Sequence, residues 1–262
     1  MKPIRPVLFV PHGSPMFALQ PGPAGAALSG LVARLPTPRA IVVLSPHWET
    51  EVPTVGTARQ LETIHDFGGF DPRLFEIQYP APGSPELAEQ VLQALQVAGL
   101  PVVTDAERGL DHGSWVPLRH MFPDANVPVV PLSLQHHGGP QHAYRVGQAL
   151  APLAQRGCLI LASGNVTHNL RDWQLVRMTG QPTPDYVLQF SDWVHAQMTR
   201  GHTEALLAYR QTQEAGQRAH PRDEHLLPLF TALGAAGPNA RADAFYRGVY
   251  DHVIAMDGYA FY

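Results

Sequence analysis

The run Ala40-Ile-Val-Val-Leu44, followed at once by Ser-Pro-His-Trp-Glu49, constrains the fold more than any other stretch of the chain. Five unbroken aliphatic residues read as a strand buried on both faces, the kind found in parallel α/β sheets. The turn signal Ser45-Pro46 stops the run. The next residue, His47, is thereby delivered to the edge of the sheet, where open α/β folds bind their ligands. The same arrangement recurs at Val7–Val10, followed by Pro11-His12, and at Cys158–Ala162, followed by Ser-Gly-Asn-Val-Thr-His168. Three such histidines can converge only if their strands are neighbours in one sheet.

With 262 residues, 45% of them apolar, the chain is long enough to bury one large core, and no linker or internal repeat divides it. The expectation is a single domain over residues 1–262, of the α/β class, with a central mostly parallel or mixed sheet flanked by helices. A net charge of −4 without any basic run argues against nucleic acid or an anionic membrane as partner. The apolar stretch after Lys2 and Arg5 is too short for a secretory signal. No run approaches the roughly 20 apolar residues of a membrane span. A soluble, cytoplasmic protein is expected. The single cysteine, Cys158, cannot form an intramolecular disulfide and reads as a small buried thiol.

Further elements follow from local signals. A helix is expected near 24–34 and a short strand within 52–57. Residues 60–83, rich in aromatic residues, glycine and proline, read as a long shaped loop, a kind that is often functional. Ser84 and Pro85 open a helix that runs to Ala98 and ends at Gly99. Strands are expected at 100–103 and 127–134, and a short helix through His120 and Met121 after the His112 loop. Helices are expected from Gly139 to Gln155, at 185–198 and 203–210, and from about Leu226. The aromatic tail, 244–262, returns in part as a strand.

Fourteen histidines are available for chemistry. His12, His47 and His225 are the best candidates for metal ligands, because each lies beside proline or helix-start punctuation and imidazole serves Zn, Fe, Cu and Ni alike. The competing reading is that His12 and His47 are hydrogen-bonded loop histidines, since no local motif such as His-Glu-x-x-His is present. His112 and His168 follow flexible polar loops and suit general acid–base work near neutral pH. Glu49 and Glu224 are carboxylates that would orient a ligating ring, or else are solvated. The nucleophile elbow, the phosphate-binding loop and the dinucleotide fingerprint are all absent from the sequence.

Seven short blocks in order carry a resemblance. They are Val-Pro-His-Gly-Ser-Pro (10–15), Ser-Pro-His-Trp (45–48), Ile-His-Asp-Phe-Gly-Gly-Phe (64–70), Tyr-Pro-Ala-Pro-Gly (79–83), Gly-Leu-Asp-His-Gly-Ser-Trp (109–115), Ser-Gly-Asn-Val-Thr-His-Asn-Leu (163–170) and His-Pro-Arg-Asp-Glu-His (220–225). Together they resemble the class III extradiol aromatic ring-opening dioxygenases, in the branch that contains the DOPA dioxygenases.

The resemblance implies metal binding by His12, His47 and His225, acid–base work by His112, and a place beside the metal for His168, as a fourth ligand or as a second acid–base group. It implies Fe(II) for activity, with Zn(II) a possible occupant of an all-imidazole site. It further implies a catechol and O2 as substrates and a muconic semialdehyde as product. Trp48, His65, Phe67 and Trp115 would wall the aromatic ring. Two rival readings use the same residues: a zinc hydrolase that makes a metal hydroxide, and a non-enzymatic binding protein on this scaffold. Oxygen uptake separates the first rival from a dioxygenase. An acid–base pair, which a mere binder does not need, argues against the second.

Overall fold

The computed structural model describes residues 7–262, so Lys2 and Arg5 lie outside it. Its strands are β1 (Val7–Pro11), β2 (Ala40–Glu49), β3 (Thr54–Gly56), β4 (Val103–Asp105), β5 (Val129–Leu134), β6 (Cys158–Gly164), β7 (Ala242–Tyr246), β8 (Val249–Tyr250), β9 (Ile254–Ala255) and β10 (Gly258–Phe261). Its α-helices are α1 (Gly22–Val32), α2 (Pro85–Val97), α3 (His112–Met121), α4 (Gly139–Gln155), α5 (Leu170–Thr179), α6 (Asp185–Arg200), α7 (Thr203–Leu207), α8 (Tyr209–Thr212), α9 (Glu214–Ala219) and α10 (Leu227–Ala236).

Among the described residues, eight strands form one mixed sheet in the order β4-β3-β5-β2-β6-β1-β10-β7. Its centre, β5-β2-β6-β1, is parallel throughout. The antiparallel pairings are β3 with β5 on one side, and β10 with β1 and β7 on the other. The expected α/β class with a mixed sheet flanked by helices is what the chain adopts.

Side chains alternate across the central strands, as a period of two requires. Phe9, Val42, Leu44, Ile160 and Ala162 face a core built with α2, α4, α6 and α10. Leu8, Val10, Ile41, Val43, Leu159 and Leu161 face a second core built with α1, α3 and the loop carrying Tyr79. Both faces are covered, which is why these strands read as unbroken apolar runs rather than alternating ones. Cys158 is buried in the first core with a free thiol.

Several boundaries differ from expectation. β2 continues through Ser45-Pro46 to Glu49. Its pairing with β6 ends at Leu44 and its pairing with β5 is interrupted between Leu44 and Glu49, so the N–H that Pro46 lacks leaves no gap in a ladder. β4 lies three residues later than the apolar signal at 100–103 and pairs through its backbone with β3. The helix at 203–210 is divided between α7 and α8. α5 escapes the apolar pattern because most of its residues are polar or exposed. Its caps were nevertheless written in the sequence: Asn169 accepts from the Asp172 N–H, and Gly180 closes the helix in the left-handed conformation. Ser84 caps α2 as expected, by accepting from the Leu87 N–H.

Candidate active site

β1 and β2 flank β6 on either side. In register, Pro11 lies beside Gly164 and Leu44 beside Ala162. His12, one residue past β1, and His47, three past Leu44, therefore stand on either side of the end of β6. Their rings lie 5.2 Å apart, centroid to centroid. His225 arrives from the segment before α10, which is tied to the end of β6 by a hydrogen bond from the Asn165 N–H to the His225 carbonyl, 3.0 Å long. That approach requires Gly164, where a Cβ would lie 2.4 Å from the same carbonyl. The His225 ring is 5.3 Å from His12 and 5.1 Å from His47. His168 stacks on His225 with centroids 3.4 Å apart and planes 8° from parallel. His112, in the first turn of α3, lies 4.0 Å from the His47 ring. It comes this close because the next residue, Gly113, has no Cβ to meet Ser45 and His47.

The hydrogen-bond network assigns the ring tautomers. Ser163 Oγ donates its one hydrogen to the Gly113 carbonyl, so it must accept from His12 Nδ1, 3.0 Å away. The Nε2 of His12 is then the lone-pair nitrogen. His225 donates from Nδ1 to Glu224 at 2.8 Å, and its Nε2 is buried without a hydrogen-bond partner. His47 Nδ1 faces the Asp66 carboxylate at 3.4 Å, which leaves its Nε2 3.4 Å from the Nε2 of His12. Two ring nitrogens this close share either a hydrogen or a cation. Two nitrogens that share a tetrahedral ion, each about 2.0–2.1 Å from it, are themselves about 3.3–3.4 Å apart. The orphaned buried nitrogen of His225 and this close nitrogen pair fit a divalent cation. The ligand atoms of His12, His47 and His112 lie within 4.8 Å of one another, as do those of His168, Glu224 and His225.

Burial keeps these rings neutral. Burial, and then the neighbouring histidines, holds His12 and His225 well below the usual imidazole range. Burial and His112 push His47 down to about 3 against the pull of Asp66, and burial with His47 and His112 takes His168 to about 3. Neutral imidazole is the form that binds metal. Burial alone would raise Asp66, but its hydrogen bonds with His112 and the nearby His47 ring bring it down to about 2. Asp66 is therefore an anion wedged between two imidazoles.

A family model described as the catalytic LigB subunit of aromatic ring-opening dioxygenase matches residues 7–260. The chain belongs to this family. It is an extradiol aromatic ring-opening dioxygenase. Similar proteins include the 4,5-DOPA dioxygenase extradiol of Beta vulgaris, 38% identical over 98% of this chain and 97% of the relative. The 4,5-DOPA dioxygenase extradiol of Escherichia coli K12 is 41% identical over 88% of this chain and 84% of the relative. The crystal structure of an uncharacterized Escherichia coli K12 protein superposes with a TM-score of 0.78 at 33% identity, covering 97% of this chain and 98% of that one.

The residues expected to wall the aromatic ring divide in this dioxygenase. Phe67 stands edge-on to His112 at 5.6 Å and packs with Phe70 and Phe75. His65 lies behind it, 5.9 Å from the Phe67 ring, with Nε2 donating to the Ile77 carbonyl. Trp115 has no exposed surface to offer a ligand; it sits on the core face of α3 and donates its indole N–H to the Ile64 carbonyl, so it props the loop that carries Phe67. Trp48 is buried under the Arg108 guanidinium, 5.0 Å from its ring. These two indoles support the site rather than line it. Glu49 pairs with Arg222, which also pairs with Glu224, and it is Glu224 that accepts from the His225 ring.

Ser163, Asn165, Asp66 and Asp111 also belong to the hydrogen-bond network around these histidines: Ser163 and Asn165 meet the His12 ring, Asp66 the His112 ring. Asp111 caps α3, accepts from Ser45 Oγ at 2.6 Å and pairs with Arg108 at 2.6 Å, clamping the turn that bears His47. The available signal was position: Asp66 and Asp111 each stand next to a histidine or aromatic residue within a recognised block, and Ser163 and Asn165 sit at the end of a buried strand.

Proposed function

We propose that this dioxygenase opens the ring of a DOPA-like catechol beside its two hydroxyl groups. In this reading the Nε2 atoms of His12, His47 and His225 hold Fe(II), and His112 and His168 are the acid–base pair. The carrying observation is the His12 and His47 Nε2 atoms only 3.4 Å apart, together with the buried, unpartnered Nε2 of His225, whose ring lies 5.1–5.3 Å from theirs. Bound Fe(II) would supply the one-electron chemistry by which a catechol and O2 can react.

The chain's own groups handle protons and position. His112 gives its Nδ1–H to Asp66 and so presents Nε2 to take a phenolic proton. His168, held neutral and flat against His225, is able to accept a proton as the ring oxygens lose theirs and to return it as the carbon–carbon bond breaks. Phe67 offers its ring to the aromatic substrate. The DOPA-like substrate class is supported by the printed names of relatives 38–41% identical to this chain. Both atoms of O2 enter the product, a hydroxymuconic semialdehyde, which is yellow.

Anaerobic loading with Fe(II), followed by DOPA, caffeate and protocatechuate in aerated buffer, tests the reading. One O2 consumed per catechol, with a yellow product, is expected. A correctly loaded protein that consumes no O2 with any of the three would overturn it. Zn(II) in the same nitrogen set should bind and yet support no O2 uptake, because zinc has no redox chemistry.

A further inference from the structure

We propose that Asp66 is a positioning residue that ties the ligand His47 to the base His112 through a shared carboxylate oxygen; this rests on the roles proposed above. Its Oδ2 lies 2.9 Å from His112 Nδ1 and 3.4 Å from His47 Nδ1. Its Oδ1 accepts the backbone N–H of His112 at 2.9 Å. That N–H belongs to the first turn of α3, where the helix itself supplies no acceptor. One side chain thus fixes the backbone of His112, its ring orientation and its tautomer.

The other two acceptors behave differently. Ser163 and Glu224 each take a proton from one histidine, His12 and His225 respectively. Asp66 serves two histidines with different tasks. Because a carboxylate only accepts, His112 must carry its hydrogen on Nδ1, which leaves its Nε2 as a lone pair, and the carboxylate charge 3.4 Å from His47 Nδ1 favours the same tautomer there. A ring without this partner is free to hold its hydrogen on Nε2, where it neither binds metal nor takes a phenolic proton. Asp66 also lies between Ile64, whose carbonyl is held by Trp115, and Phe67, whose ring stands against His112. The aromatic wall and the base are therefore latched as one unit by this carboxylate.

The test is Asp66→Asn, which keeps the size and replaces one acceptor with a donor. Three readouts apply. Nitrogen-15 spectra of the imidazoles should show His112 protonated on Nδ1 in the wild type, both metal-free and Zn(II)-loaded, and protonated wholly or partly on Nε2 in the variant. Zn(II) affinity, measured against a competing chelator, should fall about 10–100-fold. In the Fe(II)-loaded enzyme kcat should fall about 100-fold or more while KM shifts by less than about threefold. Placed in a His112→Ala background, Asp66→Asn should cost little further kcat, because the base it orients is already gone.

An unchanged His112 tautomer with unchanged Zn(II) affinity in the variant overturns the proposal. If the variant does not fold, the wild-type spectrum decides: His112 protonated on Nε2 overturns it and on Nδ1 supports it. The spectra and the Zn(II) affinity need no catechol turnover, so they judge Asp66 even if the proposed substrate class is wrong.

Discussion

The two halves of the histidine cluster are held by different means. His12 and His47 ride on parallel strands whose register with β6 fixes where they end, and the residues beneath them are fully buried. His168 and His225 lie on two connecting segments laced together by backbone bonds. Asn165 N–H donates to the His225 carbonyl, His168 N–H to the Ala219 carbonyl, and the His220 ring to the Val166 carbonyl at 2.8 Å. The strand-borne half is placed by the register of the sheet. The loop-borne half is placed by these hydrogen bonds, the missing Cβ of Gly164 and the burial of Asn165, Val166, Thr167, Ala219 and His220.

The largest test of this contrast removes a ligand from each half. His12→Ala and His225→Ala should both leave the purified protein with almost no retained Fe(II) or Zn(II) after desalting, measured as metal per chain. If one variant keeps its metal, that half is not part of the centre. Next in size are the acceptors behind the ligands. Ser163→Ala, in the strand half, and Glu224→Gln, in the loop half, should each weaken Zn(II) binding about 10–100-fold in chelator competition. A larger loss for Ser163→Ala is expected, because Ser163 also holds the Gly113 carbonyl at the start of α3.

Acid provides the third test. His12, His47, His168, His220 and His225 all have folded values below the imidazole norm, with His47, His168 and His220 at about 3, and burial is the first cause in each. As pH falls through about 6.5 the unfolded chain takes up protons that the folded chain refuses. Metal-free protein should therefore lose stability from about pH 6.5 downward, by roughly 1 kcal/mol per histidine at pH 5.5. Glu224 and Asp257, raised chiefly by burial, pull the other way, but His120 and His142, lowered chiefly by burial, join the five, so two groups stand against seven. Chemical denaturation at pH 7.5 and 5.5 measures the difference, and equal stabilities at the two pH values would contradict the buried neutral cluster. The smallest effect is expected at the rim. Phe67→Ala should raise KM for catechols by about 2–10-fold and leave metal content intact, consistent with one lost aromatic contact.

The two halves also differed in how far they could be read from the amino-acid order. β1, β2 and β6 announce themselves because a strand covered on both faces must be apolar throughout, and a histidine just past each one is plain to see. The convergence of His12 and His47 follows from that pattern once the strands are neighbours. α5 and the backbone bonds of Asn165 and His168 left little trace, since a mostly polar helix has no apolar stripe and backbone bonds do not depend on side-chain identity. The burial of Trp48 and Trp115 was equally hidden, because an indole beside a histidine looks the same in sequence whether it faces a cavity or the core.

Local chemistry alone thus determined the sheet class, the strand-end histidines, the cap of α2 and the blocks that mark the family, because each depends on neighbours within a few residues. Only the folded chain decided that Ser163, Glu224 and Asp66 accept from the rings of His12, His225 and His112, and that Phe67 rather than either tryptophan stands beside His112. Those outcomes depend on distances between segments up to 151 residues apart, as in the His12–Ser163 bond, and no short stretch of chain encodes such a distance.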